Sequence, residues 1–479
     1  MSNLLASLRT SGNALDVFQQ ALTVVQNNVN NSQTPGYARQ SLNLEALPLD
    51  VPSGLAGGVA GRGLDNSRSQ YADEEVQRQI QTMGYYSSQA QSTSTIQSFF
   101  DVTGGGGVSA AFSNLMQAFS AWSTTPNDST ARQQVLDSAG QLADSIRGLS
   151  NSLKQTDGQT DGQINSTVTQ INAIAQQIQQ YNVQKQRETQ PDPGEDAQLE
   201  SNLENLSQLT NFTTVTQTDG TVTVMLGGGS PLVIGTQFNP LSASFSVDNQ
   251  PPAVNPQSPP TAHILDSQGN DVTSQVTGGQ LGGLLDTTNR VLAGMLGDSQ
   301  QAGTLNQFAQ TLADTVNGIL QSGTVSPTAG AANGAALFSY DASDATLAAG
   351  SITLNPMITA DQLAPVDATG VANGNANALA ALGDDNPTQG LIGGVGLSQF
   401  FSQIAAGAGQ ENQTATSNNQ TQTQVVAQAK SLRDSISGVS LDQEAVSVLQ
   451  FQRAYQATAQ VLTVLNSLAD TVMGLIQYT

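Results

Sequence analysis

Apolar residues recur at spacings of four and three along the first thirty positions: Leu4, Leu8, Leu15, Phe18, Leu22, Val25 and Val29, with Ser11 the one polar member of the series. Such a stripe keeps one narrow face of a helix turned to a neighbouring helix over about four heptads. The end of the chain behaves alike: Val448, Phe451, Tyr455, Leu462, Leu465, Ala469, Val472 and Ile476 hold the same alternation, interrupted by Thr458. A single stripe of this kind is ordinarily the inner face of a helix on a globular core. Two of them, one at each terminus, predict that the ends of the chain pack on one another.

Both stripes are bounded by sharp signals. The first runs into NNSQTPGYARQ, residues 30–40. Asn27, Asn28, Asn30 and Asn31 suit the fraying last turn of a helix. Pro35 pushes Thr34 out of the helical region and Gly36 is free to take φ > 0, so Thr34, Pro35, Gly36 and Tyr37 read as a turn between two layers. Tyr37 and Arg39 lead into SLNLEAL, where Leu42 and Leu44 alternate as in a short strand. The second stripe is preceded by SGVSLDQEA, in which Gly438 ends one helix and Ser440 caps the next. Gln443 follows three residues on, and Asp442 and Glu444 sit at the positive end of the new dipole. The helix before it carries its own stripe, Val425, Ala429, Leu432 and Ile436.

Residues 84–209 read mainly as helix, with Ile164, Val168, Ile171, Ala175 and Ile178 on one seam. A second helical stretch, 281–322, places Leu305, Phe308, Leu312, Val316 and Ile319 on one side. These stripes read as core packing. Gly104–Gly107 and PDPGED at 191–196 mark loops. The period changes in TTVTQTDGTVTVML, residues 213–226, a hairpin turning at Asp219-Gly220. LSASFSV at 241–247 is a further strand, the prolines of 251–260 an exposed linker, and 323–395 an Ala/Gly/Asn-rich segment containing strand-like SITLNP.

The pattern predicts a mainly α fold with a β-rich insertion. The chain is elongated and multidomain, its N- and C-terminal helices paired as a coiled coil, with a helical body and an outer β domain. The expected divisions are a terminal core of 1–45 with 440–479, a body of 46–209 with 281–322 and 396–439, a β-rich outer insertion at 210–280, and an irregular mixed segment at 323–395.

Composition narrows the function. Thirty-seven acidic residues against fourteen basic ones give a formal charge of −23, which repels phosphate backbones and anionic headgroups, so no nucleic-acid or membrane partner is expected. Only 11% of residues are charged, against about 25% in average proteins, so the surface is polar but largely uncharged. Lys154, Lys185 and Lys430 are the only lysines and none follows a glycine, which excludes a phosphate-cradling GxxxxGK[ST] loop. Without cysteine there are no disulfides or thiolate ligands. The one histidine, His263 in PPTAHILD, reads as a solvent-facing loop residue, no HExxH occurs, and DGQTDG at 157–162 has too few spaced carboxylates for a calcium loop. No catalytic residue, cofactor or metal site is expected. The N-terminus lacks the pattern of a cleaved secretory signal, and no run approaches the roughly 18 apolar residues of a membrane span.

The striped N-terminal helix, its Asn-rich end, TPGY at 34–37 and GVSLDQEAVSVLQFQRAYQATAQVL at 438–462 together resemble the bacterial flagellar axial family of rod, hook and hook-associated proteins. The likeness is specific over roughly the first 45 and last 45 residues. LRDSISGVSLDQEA and the long helices at 84–209 look most like the hook-associated members that join hook to filament. Rod and hook members, which usually carry β-rich bodies, are the alternative. GGVAGRGLDNSRSQYADEEVQRQ also resembles the family's segment after its first strand, although Gly61-Arg62-Gly63 departs from a strand-like run. A non-flagellar coiled-coil surface protein or adhesin would explain the stripes but leave TPGY and RAYQA as coincidence. The resemblance implies an extracellular tubular assembly of copies of this chain, with the terminal seams as its inner contacts. It further implies the hook protein and the second junction protein, hook-associated protein 3, as neighbours. Export would run through the flagellar type III apparatus without a cleaved signal, with an export chaperone on the C-terminal helix. The termini are expected to be mobile in the monomer and to fold when neighbours supply partners.

Overall fold

The computed structural model describes residues 2–50, 55–100, 106–187, 192–247, 255–384 and 392–477. Gly104 and Gly105 of the first predicted loop, Pro191 of the second, and Pro251 and Pro252 of the linker lie outside the described residues. The protein is mostly helical, with small sheets and a long C-terminal helix.

Helix α1 (Ser2–Asn30) is followed by an antiparallel arm, β1 (Gln40–Asp50) and β2 (Leu55–Asn66). The register shifts between Leu42 and Leu44, which face Leu64 and Gly61, so β2 carries one extra residue at this level. Gly63, at φ +119°, lies within this bulge. Gly61-Arg62-Gly63 is therefore strand after all, with a bulge accounting for its unusual composition. The arm lies against α1, and α1 packs along the last helix, α12 (Leu441–Gln477).

The body begins with α2 (Gln70–Ser98), whose N-cap Ser69 accepts from the Ala72 N–H. Then come α3 (Gly107–Thr124) and α4 (Ser129–Lys185), a 57-residue helix about 85 Å long at about 1.5 Å per residue. Asp128 caps α4 through the Thr130 N–H. In α5 (Pro193–Leu209), Asp192 accepts from the Gly194 N–H, proline stands in the first turn, and Glu195 and Asp196 lie at the positive end of the dipole.

Strands β3 (Phe212–Thr216), β4 (Val222–Leu226), β5 (Pro231–Ile234) and β6 (Gln237–Phe238) form one antiparallel sheet in sequence order, and β7 (Ser242–Ser246) pairs with β8 (Thr261–Leu265). Val222, Val224, Leu232 and Ile264 share one core with Ile164, Ile171 and Ile178 of α4 and Leu206 of α5. The strands thus use the distal half of α4 as the floor of their core.

Helix α6 (Gly279–Asp286) runs through a π-helical turn, Thr287–Leu292, into α7 (Ala293–Leu296), and α8 (Thr304–Ser322) follows. The irregular segment holds β9 (Phe338–Ser339), α9 (Ala348–Ser351), β10 (Thr353–Leu354) and α10 (Gly374–Ala380). It closes over a second core built from α3, the proximal half of α4 and α8, where Leu337, Ile352, Leu363 and Leu379 are buried with Trp122 and Phe308. Helix asparagines tie its backbone down: Asn317 Oδ1 accepts the N–H groups of Leu337 and Phe338, and Asn306 Oδ1 that of Ala349. Helix α11 (Leu397–Ser437) starts on this core at Phe401 and returns along α2 toward α1.

Candidate functional site: the terminal helices and their crossing into the body

Of the predicted positions on α12, Val448, Phe451, Leu462, Leu465, Ala469 and Val472 are half-buried, as is Thr458 between them, and the helix that α12 packs along is α1. Tyr455 stays 37% exposed. Ile476 belongs to α12, but its side chain lies outside the described set. On α1 the fully buried line is Ala14, Val17, Ala21, Val25 and Asn28. Of the predicted series only Val25 falls on it; Leu4, Leu8, Leu15, Phe18 and Leu22 flank it half-buried, and Val29 is exposed. The face is rotated by about one residue because small Ala14 and Ala21 allow close approach of α12 and the arm, whereas a reading by large side chains follows the neighbouring line.

A second apolar line is left uncovered. Val446, Leu449, Val461, Val464 and Leu468 of α12, between 49% and 57% exposed, keep to one side of the helix; Met473 of α12 and Leu432 and Ile436 of α11 are exposed as well. The stripe read on α11 therefore divides: Ala429 packs beside buried Val426, while its last two members face solvent.

Between this pair and the body the chain crosses repeatedly, and the crossings are locked by polar groups. Asn28, expected in a fraying turn, has no solvent exposure. Its Oδ1 accepts the Gln40 N–H at 2.9 Å and the Tyr37 hydroxyl at 2.9 Å. Its Nδ2 donates to the Gln40 carbonyl at 2.8 Å and to Glu444 Oε2 at 3.1 Å. Glu444, also without exposure, takes Arg39 Nε on its other oxygen at 2.6 Å. Arg39 N–H donates to the Ser437 carbonyl, Ser67 N–H to the Arg39 carbonyl, and Ser69 N–H to Ser437 Oγ. One cluster thus fixes the end of α1, the root of the arm, the start of α2 and the break between α11 and α12. Burial, then the charge of Glu444, pushes the Tyr37 hydroxyl up to about 12, which keeps it a donor.

The turn itself sits on α5. Thr34 Oγ1 donates to Asn31 Oδ1, and the Tyr37 N–H to the Thr34 carbonyl, while Thr34 and Pro35 remain exposed. Gly36 adopts φ +74°, and a Cβ there would stand 2.4 Å from the Ala197 carbonyl oxygen. Arg68 donates to the Gly36 carbonyl at 2.5 Å and pairs with Asp73 at 3.2 Å and Glu200 at 3.4 Å. Burial and the neighbouring Asp73 raise Glu200 to about 7. Gly438 is extended at φ −74°, so close approach and not handedness selects glycine: a Cβ would lie 2.3 Å from the Asp434 carbonyl oxygen. Ser440 is exposed, and its carbonyl accepts the Glu444 N–H at 3.0 Å. A polar cavity of about 400 Å³ lies between the two breaks, lined by Thr34–Tyr37, Arg68, Glu200, Arg433 and Gly438.

Sequence reasoning missed Asn28, Arg39, Ser67, Arg68 and Glu444 as members of one joint. It also placed His263 in a solvent-facing loop, whereas the residue lies in β8 with a largely buried side chain held by Asp271 at 2.8 Å and Thr261 Oγ1 at 3.0 Å. Thr261 gives its hydroxyl hydrogen to the Ser246 carbonyl at 3.0 Å, so the trio staples β7 to β8 and does not present an activated nucleophile. Among the described residues no three metal-ligating side chains converge, and no helix is long and apolar enough to cross a membrane. What the geometry offers is a rigid polar joint between a helical pair and a long body.

Known proteins share this plan. Residues 93–338, just over half of the chain, match the family model described as the flagellar hook-associated protein FlgK helical domain. Residues 428–475 match that of the flagellar basal body rod FlgEFG protein C-terminal region. Flagellar hook-associated protein 1 of Bacillus subtilis is 25% identical over 99% of this chain and 99% of its own length. The corresponding protein of Escherichia coli is 24% identical over 99% of this chain and 100% of its own. The solved structure of the flagellar hook junction protein FlgK from Burkholderia pseudomallei superimposes with a TM-score of 0.62 at 16% identity, covering 76% of this chain and all of that one. The chain belongs to the flagellar hook-associated protein FlgK family.

Proposed function

We propose that this chain is a structural subunit of the bacterial flagellum, the adaptor that polymerises between hook and filament. The observation that carries the reading is the pairing of a body matching the FlgK helical domain with terminal helices whose apolar surface one copy covers only in part. The C-terminal match alone is shared with rod proteins, so the helical body separates a junction subunit from a rod or hook subunit.

On this reading residues 1–45 and 440–479 form a coiled-coil inner domain. The body comprises 46–209, 281–322 and 396–439, the β-rich part at 210–280 faces outward, and 323–395 completes the body. Leu4, Leu8, Leu15, Phe18, Leu22, Val29 and the line of α12 gain their remaining burial from neighbouring copies, because a half-covered helical pair is marginal in water. Thr34–Tyr37 with Gly438 and Ser440 set the angle between layers. The hook protein and hook-associated protein 3 would be the axial neighbours, reached after export without a cleaved signal and with a chaperone on the C-terminal helix. The role requires no catalysis. Electron microscopy of a strain lacking the gene tests it: hooks without filaments, with flagellin lost to the medium, are expected. Absent hooks would indicate a rod or hook subunit, and normal flagella would contradict the reading.

A further inference from the structure

The long helix α4 carries a tandem repeat, TDGQTDGQ at 156–163, that the scaffold role does not use. It falls where the buried stripe of α4 is interrupted. Leu149 and Leu153 belong to the core shared with α3 and α8, and Ile164 and Val168 to the core shared with the strands. Between them the buried residues are Thr156, Asp157 and Thr160, with Asp161 half-buried. The helix packed alongside changes core in the same way: Leu284 and Leu285 lie in one, Val291 and Leu292 in the other, and buried Thr287 and Thr288 stand between them in the π turn. The body therefore contains a polar layer between two apolar cores, at the level of a π turn, a frequent mark of functional sites.

The layer is incompletely satisfied. Asp157 Oδ1, Asp161 Oδ1 and Thr288 Oγ1 are buried without a hydrogen-bond partner. The neighbouring hydroxyls are occupied by their own helices, Thr156 by the Ser152 carbonyl, Thr160 by that of Thr156 and Thr287 by that of Gly283. The cation on the facing turn is engaged elsewhere: Arg290 holds Asp286 and Glu411. Asp286 also accepts from Gln89 of α2. Asp161 is the charged group that acts on Asp157. Gly158 and Gly162, one after each aspartate, have open space around them and weaken the helix by about 1 kcal/mol each relative to alanine.

We propose that the tandem TDGQ repeat and the facing π turn form a proton-controlled joint in the body. With the aspartates protonated, each carboxyl gains a donor for the unpaired acceptors around it, and the layer stays dry and rigid. Once ionised they draw in water, and α4 bends at Gly158 and Gly162. Burial, and then Asp161, raises Asp157 to about 7, and burial raises Asp161 to about 6. Both lie above the ordinary carboxylate range. The stabilising contribution is therefore complete below that range and is lost as pH rises through about 6 to about 7.

Hydrogen exchange on the full chain at about pH 5 and about pH 8, corrected for intrinsic rates, tests the joint. Peptides spanning 153–165 and 284–293 should lose roughly tenfold in protection at the higher pH in the native chain and none in Asp157→Asn/Asp161→Asn. If the double variant does not fold, Asp161→Asn alone should move the midpoint of the transition to lower pH by removing the like charge beside Asp157. An unchanged pH dependence in either variant would overturn the proposal. So would protection at the higher pH that millimolar calcium chloride restores in the native chain alone, since that describes a cation site.

Discussion

Asn28 and Glu444 stand 416 positions apart in the chain and meet at 3.1 Å, both without solvent exposure. Because Glu444 also binds Arg39, truncating it leaves an amide and a guanidinium without their buried acceptor. Glu444→Ala should cost about 2–3 kcal/mol and be felt at the joint more than in the body. Limited proteolysis should cut α1 and α12 earlier than in the native chain while the body fragment persists.

Gly36 combines a left-handed φ of +74° with a close approach to the Ala197 carbonyl. Gly36→Ala meets both penalties and should destabilise by about 1–3 kcal/mol, read as a lowered melting temperature. Gly438→Ala lacks the first penalty and must displace only the Asp434 carbonyl, so its effect should be smaller.

Arg68 is the cation that pairs with Asp73 and Glu200, whose carboxyls are both raised chiefly by burial, Glu200 to about 7. Arg68→Ala strands them, at about 3–5 kcal/mol if they stay ionised. Protonation relieves that cost, so the loss should be small in mild acid and grow as pH rises through about 7. Urea denaturation of variant and native chains across that range measures the divergence.

Ala21 lies on the closed face of α1 at 1% exposure and Leu22 on its half-buried flank. Ala21→Leu should overpack the contact and cost about 1–3 kcal/mol, whereas Leu22→Ala should be milder in the monomer. The reverse order in thermal melts would place the face where the large residues are.

The helical periods of α4, α8 and α12 are legible because large apolar residues carry them: Ile164, Phe308 and Leu462 each mark a face by hydrophobicity alone. The face of α1 is not, since Ala14, Ala21 and Asn28 line it and none signals burial. Glu444 reads as an ordinary first-turn carboxylate until its distant partners come into view. The arm is half legible, as the alternation of Leu42 and Leu44 announces β1 while the glycines of β2 conceal a strand with a bulge. Residues 323–384 show no period because their backbone is held by Asn306 and Asn317 of α8 and by pairings only one or two residues long, not by a long ladder. Asp157 and Asp161 read as a failed calcium loop; only the two cores on either side give them meaning.

The central claim is that copies of this chain assemble through the line of α12 that one copy leaves open. A strain lacking the gene, complemented with Val464→Asp/Leu468→Asp, tests it most directly, because both positions are about half exposed in the single chain and the variant should fold and be exported normally. Micrographs are expected to show bare hooks with the variant and full filaments with the native chain. Filaments of normal number and length on the variant's hooks would contradict the account.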